Sequence, residues 1–263
     1  MKFLQFLYRR FRDHRLIDLG AQCAYYLLLS LFPLLIFAVT LLSYLPFTFM
    51  ELYTFLKTDY IPSEVLQVVE DQWTFITHQE RTGALSFGVI FTLWTASLAL
   101  NAILRSLNLA YHVTEERGVI LSRFMSIGLT IVLLLVVLAA FLFQIIGDQW
   151  SKYFAVESIF YNSYIFRWLL TSLLLFAVFL ILYLVGPNLK LRLGEVYIGA
   201  LFTTIGWQIA TFGFSVYLDH FNNFTATYGT LGAIIALIIW FHLTSVLLLL
   251  GGEINAMLKE DID

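Results

Sequence analysis

Six apolar runs, each long enough to cross a bilayer, leave this chain little freedom in what it can fold into. They are Leu19–Leu45, Leu85–Ala110, Phe124–Ile146, Ile165–Val185, Val196–Tyr217 and Gly229–Leu250. A helix rises about 1.5 Å per residue, so about 20 apolar residues cover the hydrocarbon core. Hydrophobic residues make up 60% of the chain's 263 positions, against roughly 45–50% in a soluble domain. The expected fold class is all-α: a polytopic membrane helix bundle of six transmembrane helices, in one integral membrane domain over residues 1–263.

Basic residues set the expected orientation. Lys2, Arg9, Arg10, Arg12, Arg15, Arg105, Arg117, Arg123, Lys190, Arg192 and Lys259 fall on one side of the spans, 11 of the 15 in the chain. Lys57, Arg81, Lys152 and Arg167 fall on the other. The positive-inside tendency then puts both termini in the cytoplasm, which demands an even number of spans. A multi-pass protein of a bacterial plasma membrane is the expected location. The net charge of −3 says little, since the first external loop is acidic; the absence of a basic surface argues against a nucleic-acid partner. The single cysteine, Cys23, forbids an intrachain disulfide.

Ahead of the first span, Phe3, Leu4, Leu7, Tyr8 and Phe11 share one helical face, with Lys2, Gln5, Arg9 and Arg12 on the other. That pattern predicts an interfacial helix lying on anionic headgroups; a frayed tail carrying topology charges is the alternative. Between Pro46 and Gly83, apolar spacing predicts two short amphipathic helices, broken at Pro62, in the first external loop. Pro33, in mid-span, removes a backbone donor and predicts a helix kink, either static or a gating hinge. Gly186-Pro187-Asn188 predicts a sharp stop to the fourth span.

Small residues mark packing. Gly199, Thr203, Gly206, Ala210 and Gly213 form one stripe on the fifth span, and Gly229 and Gly232 open the sixth. Close backbone approach is a main source of helix association in lipid, so the stripe predicts a contact, between these two helices or with a second subunit.

Polar residues at membrane depth are the candidates for function. Asn101, Arg105 and Asn108 recur at i, i+4 and i+7 on one face of the second span. Arg105 lies six residues from Tyr111, about 9 Å along a helix axis, so it either snorkels to the interface or lines a polar interior. Glu253 and Asn255 close the sixth span, and Gln22 lies with Asp18 at the same depth on the first. Glu253 is expected to be solvated, to pair with Arg105, or to end a solute pathway. Together Gln22, Asn101, Arg105, Asn108, Glu253 and Asn255 predict a polar cavity open to the cytoplasm. The histidines His14, His78, His112, His220 and His242 are scattered singly, and no metal-ligand spacing, phosphate-binding loop or nucleophile motif occurs. No catalytic residue, metal or cofactor is expected.

Several phrases carry a family resemblance. Ala24-Tyr25-Tyr26 with Ser30-Leu31-Phe32-Pro33, Leu93-Trp94-Thr95-Ala96-Ser97, Leu107-Asn108-Leu109-Ala110-Tyr111, Tyr228-Gly229-Thr230-Leu231-Gly232 and Gly252-Glu253-Ile254-Asn255-Ala256 follow in order along the chain. They resemble the YihY/BrkB family of bacterial inner-membrane proteins, in a Gram-positive, Bacillus-like form. The resemblance implies a polytopic plasma-membrane protein of undefined activity, some of whose relatives are linked to virulence or to envelope lipid export. It also brings an old ribonuclease BN label, which these residues do not support: an RNase needs an aqueous basic groove with acid–base or metal groups. The leading expectation is a transporter or export-related protein for a small solute or envelope lipid. A non-transporting envelope assembly or scaffold protein is the alternative. The partners expected are membrane lipids, that solute or lipid, and a further copy of the chain if the small-residue stripe faces outward.

Overall fold

A computed structural model describes residues 2–42, 82–114, 118, 120–133, 135–136, 164–220 and 230–260. They contain α-helices α1 (Lys2–Asp13), α2 (Leu16–Leu42), α3 (Thr82–Ala110), α4 (Ile120–Leu133), α5 (Tyr164–Val185), α6 (Leu193–His220) and α7 (Thr230–Glu260), and no strand. The all-helical class is thus what these residues adopt. Two stretches, Leu193–Leu218 and Ile234–Glu260, are long and apolar enough to cross a membrane, while Leu16–Leu31, Ile120–Leu133 and Thr171–Val185 are shorter apolar helices. The amphipathic helices expected in the first external loop, Gly229 and the second half of the third expected span lie outside the described residues.

α7 is the hub: it packs on α2, α3 and α6 and carries α1 across its end, while α2 also packs on α3 and α6 on α5. The polarity of packing is that of a lipid-facing bundle. On α6, Leu201, Ile205, Ile209, Phe212 and Val216 are exposed, while Gly199, Ala200, Thr203 and Thr204 are buried. Large apolar side chains point out and small or polar ones point in, because lipid rewards close helix approach rather than apolar burial.

Four buried hydroxyls are satisfied within their own helices. Thr95, Ser106, Thr130 and Thr204 donate to the carbonyl four residues back at 2.7–2.9 Å. Tyr183 instead ties three helices together. Its hydroxyl donates to the Leu248 carbonyl at 2.6 Å and meets the Thr203 hydroxyl at 2.7 Å, with only 1% of the residue exposed. Tyr183→Phe would remove both bonds. It is expected to cost about 1–3 kcal/mol, read as a lower thermal midpoint of the detergent-solubilised protein; an unchanged midpoint would show that the knot is dispensable.

Helix ends agree with the sequence reading where turn chemistry sets them. α3 stops at Ala110 and α5 at Val185, just ahead of Gly186-Pro187-Asn188. α7 does not stop at Leu250. It runs on to Glu260, and residues 251–257 are all buried against the rest of the protein. Pro33 lies within α2, which remains helical to Leu42.

Candidate functional site

The end of α7 assembles the densest polar cluster among the described residues, and α1 delivers its centre. Leu7, Arg10, Phe11 and His14 recur at i, i+3, i+4 and i+7, and this is the face of α1 that turns inward. Leu4 and Tyr8 are left exposed beside Arg9 and Arg12. Arg10 is only 5% exposed. It donates to the Ala110 carbonyl at 3.1 Å and to Glu253 Oε2 at 3.2 Å, while its other terminal nitrogen reaches Glu260 and lies 3.3 Å from His112 Nε2. Glu253 is completed by His14 Nδ1, 2.5 Å from Oε1.

Local backbone geometry aims these groups. α3 ends in a Schellman motif: Val113 N–H donates to the Asn108 carbonyl at 2.9 Å and His112 N–H to that of Leu109 at 3.0 Å. The left-handed residue is His112, with φ 53°, where glycine would be free of strain. The strained position swings the imidazole toward Arg10 and edge-on to His14, with ring centroids 5.5 Å apart. Arg15, also at φ 53°, makes the corner between α1 and α2. Tyr111 stands beside the cluster; burial raises its hydroxyl pKa, and the Glu195 and Glu253 carboxylates push it the same way. The phenol is a buried neutral group without a hydrogen-bond partner.

Around this cluster the cytoplasm-assigned helix ends are cross-tied. Glu195 accepts from the Arg192 N–H and from Lys259 Nζ, both at 2.6 Å, capping α6 and binding it to α7. Asn108 Oδ1 accepts from the Asn188 N–H at 2.7 Å, fastening the α5–α6 turn to α3. Asn255 Oδ1 accepts from the Gly199 N–H at 2.7 Å, inside the contact between α6 and α7. A Cβ on Gly199 would overlap the Gly251 carbonyl oxygen and the Asn255 amide. The stripe loosens from there: Gly206 faces only Leu247, and nothing lies against Gly213. Gly232 is buried on α7.

The six polar residues singled out in the sequence therefore separate. Asn108, Glu253 and Asn255 are buried and bonded at the α7 end. Gln22 is exposed on α2, and Asp18 pairs with Arg15 at 2.6 Å. Asn101 is half-buried and Arg105 exposed on α3. Glu253 is held by Arg10 and His14, not by Arg105. Asn108 lies about 20° round the helix from Asn101 and about 60° from Arg105, on the inward edge of the outward row Trp94, Asn101, Arg105.

Arg123, on α4, meets α3 well before the end of that helix. Its guanidinium lies over the Trp94 ring, 4.1 Å from the centroid, and donates to the Trp94 carbonyl at 3.3 Å. Trp94 is 16 residues before the end of α3. Arg10, His14, His112, Glu260 and Arg123 were not legible as site residues; a cation at an inward helix position, in the case of Arg10, was the one available signal. No group of three or more His, Cys, Asp or Glu fit to hold a metal occurs among the described residues.

Comparison with known proteins covers nearly the whole chain. The family described as Virulence factor BrkB matches residues 7–263. The ribonuclease-like protein YfkH of Bacillus subtilis (strain 168) is 43% identical over 269 residues, 99% of this chain and 96% of that protein. A UPF0761 membrane protein of Tolumonas auensis is 30% identical, over 98% of this chain and 86% of its own length. One from Aeromonas salmonicida is 28% identical, over 98% and 89%. No solved structure matches.

Proposed function

We propose, from the premise that this chain belongs to the Virulence factor BrkB family of membrane proteins, that it is a six-span plasma-membrane protein that moves a small solute or envelope lipid. Both termini lie in the cytoplasm in this reading, α1 rests at the inner interface, and membrane lipids are its standing partners. The reading is non-enzymatic. The ribonuclease-like name belongs to the Bacillus relative, and the buried basic residue of this chain, Arg10, is consumed by two carboxylates rather than offered to a polyanion.

One observation carries the transport reading. Arg105 lies exposed on α3 with Asn101 beside it, and Glu253, the carboxylate nearest to it in expected depth, is already taken by Arg10 and His14. An arginine without a carboxylate partner, beside an amide on one helix face, is what a polar path for a substrate or ion would present, and snorkelling from near one edge is the competing account that the labelling test separates.

In a Cys23-free background, an Asn101→Cys variant should react with a small water-soluble thiol reagent from the cytoplasmic side. Single cysteines at Met1, Glu70, Glu115, Glu157, Lys190, Asn223 and Asp263 should alternate inside and outside. Lack of labelling at 101, with Arg105→Leu behaving as wild type in a flux assay, would leave the second reading, an assembly or scaffold protein. That reading is favoured by the way Asn108, Glu253 and Asn255 spend their bonds on neighbouring helices.

A further inference from the structure

We propose that the outward row of α3, together with Arg123 of α4, is a binding track for a phosphate group, carried by a lipid headgroup or by a soluble phosphate ester. The proposal deepens the transport reading and rests on α3 being a membrane span.

Trp94, Asn101 and Arg105 lie seven and four residues apart, so they fall within about 20° of one line along the helix, and Trp94 and Arg105 are separated by about 16 Å. Trp94 is 53% exposed and carries the Arg123 guanidinium on its face. Its position is about 24 Å from the Ala110 end of α3 and about 13 Å from Leu85. Snorkelling can relieve Arg105, which is near one edge, but not a guanidinium held at the level of Trp94.

The remaining ways to keep a cation at that depth are a carboxylate, water or a bound anion. Neither Arg105 nor Arg123 pairs with a carboxylate among the described residues. Arg123 Nε is buried with no hydrogen-bond partner, so this guanidinium holds an unused donor. Arg10 shows the contrast: where this fold buries an arginine for structure, it supplies two carboxylates and a carbonyl.

A planar guanidinium fixed on an aromatic face presents a fork that fits two oxygens of a phosphate. Arg105 and Arg123 are then two stations for the same group, with the Asn101 amide between them as a neutral donor. The row is exposed, so a headgroup can enter it from the bilayer while its chains stay in lipid.

The test uses the full chain in nanodiscs, with phosphatidylglycerol and glycerol phosphate as probes. Wild type should retain phosphatidylglycerol in native mass spectrometry. Arg105→Gln and Arg123→Gln should each weaken retention about tenfold, the loss of one charge-assisted bond pair. The lysine variants at both positions should keep part of the binding, which controls for folding. Displacement of the lipid by glycerol phosphate assigns the site to a soluble ester; failure of that displacement assigns it to a headgroup. Equal retention by wild type and both glutamine variants, with no glycerol phosphate bound, overturns the proposal. Binding that survives while Asn101→Cys stays unlabelled and flux is absent keeps the anion site and removes transport. Lost binding with wild-type flux removes the anion site and keeps transport.

Discussion

Arg10→Leu is expected to destabilise the folded bundle by about 3–5 kcal/mol, because it strands Glu253, 1% exposed, without its guanidinium. Glu260 and His112 lose the same partner. The single variant should show a strongly lowered thermal midpoint or fail to elute as a monodisperse peak. Arg10→Leu combined with Glu253→Leu should recover most of the loss, since apolar replacement of a buried ion pair is often neutral. The cycle measures the coupling directly. A wild-type midpoint for Arg10→Leu alone would mean that water reaches Glu253 and that α1 is not docked on α7. His14→Gln serves as an internal comparison: it removes one contact to Glu253 and leaves the arginine, so its effect should be smaller.

Gly251→Ala is expected to be as severe as a large core substitution despite adding one methyl. Its Cβ would overlap the Thr203 hydroxyl and come within 2.5 Å of the Tyr183 hydroxyl and 2.8 Å of the Gly199 carbonyl oxygen. The added atom therefore breaks the Tyr183 knot and parts α6 from α7, a cost of about 3 kcal/mol or more at the upper end of overpacking. Gly199→Ala should match it. Gly206→Ala meets only the tip of Leu247 at 3.3 Å and Gly213→Ala meets nothing, so both should fold as wild type. Folded yield by fluorescence-detected size exclusion reads the series. Equal yields across all four would show that the helices do not approach as closely as these contacts require.

The series also shows what a linear pattern can and cannot convey. The spacing of Gly199, Thr203, Gly206, Ala210 and Gly213 names a helix face but not how far a partner follows it, and α7 follows it at one end only. The apolar windows locate helices well because lipid exposure and hydropathy report the same thing. They fail at Gly251–Met257, where the neighbours are protein and polar residues become affordable. The fourth span's end was legible since Gly186-Pro187-Asn188 acts within four residues. The pairing of Arg10 with Glu253 gave no local signal; it is a product of how α1 folds back over the bundle. Arg105 and Glu253 lay close in expected depth, but depth fixes only one coordinate, and Arg10 occupies the direction that Arg105 lacks. The contact of Arg123 with Trp94 gave no signal for a related reason: it depends on where α4 meets α3, and no local pattern reports that.

The contact between Arg10 and Glu253 joins positions 243 residues apart. At 5–20 residues per second, ribosomes take roughly 12–50 s to make the intervening chain. Through that interval the amino-terminal helix has been made and its carboxylates have not. Until then it carries an uncompensated arginine, while α2 and α3, already synthesised, can pair. Docking of α1 thus registers that α7 has been made and packed. A chain that lacks α7 would display a free basic amphipathic segment, a mark that distinguishes it from one in which α1 is docked.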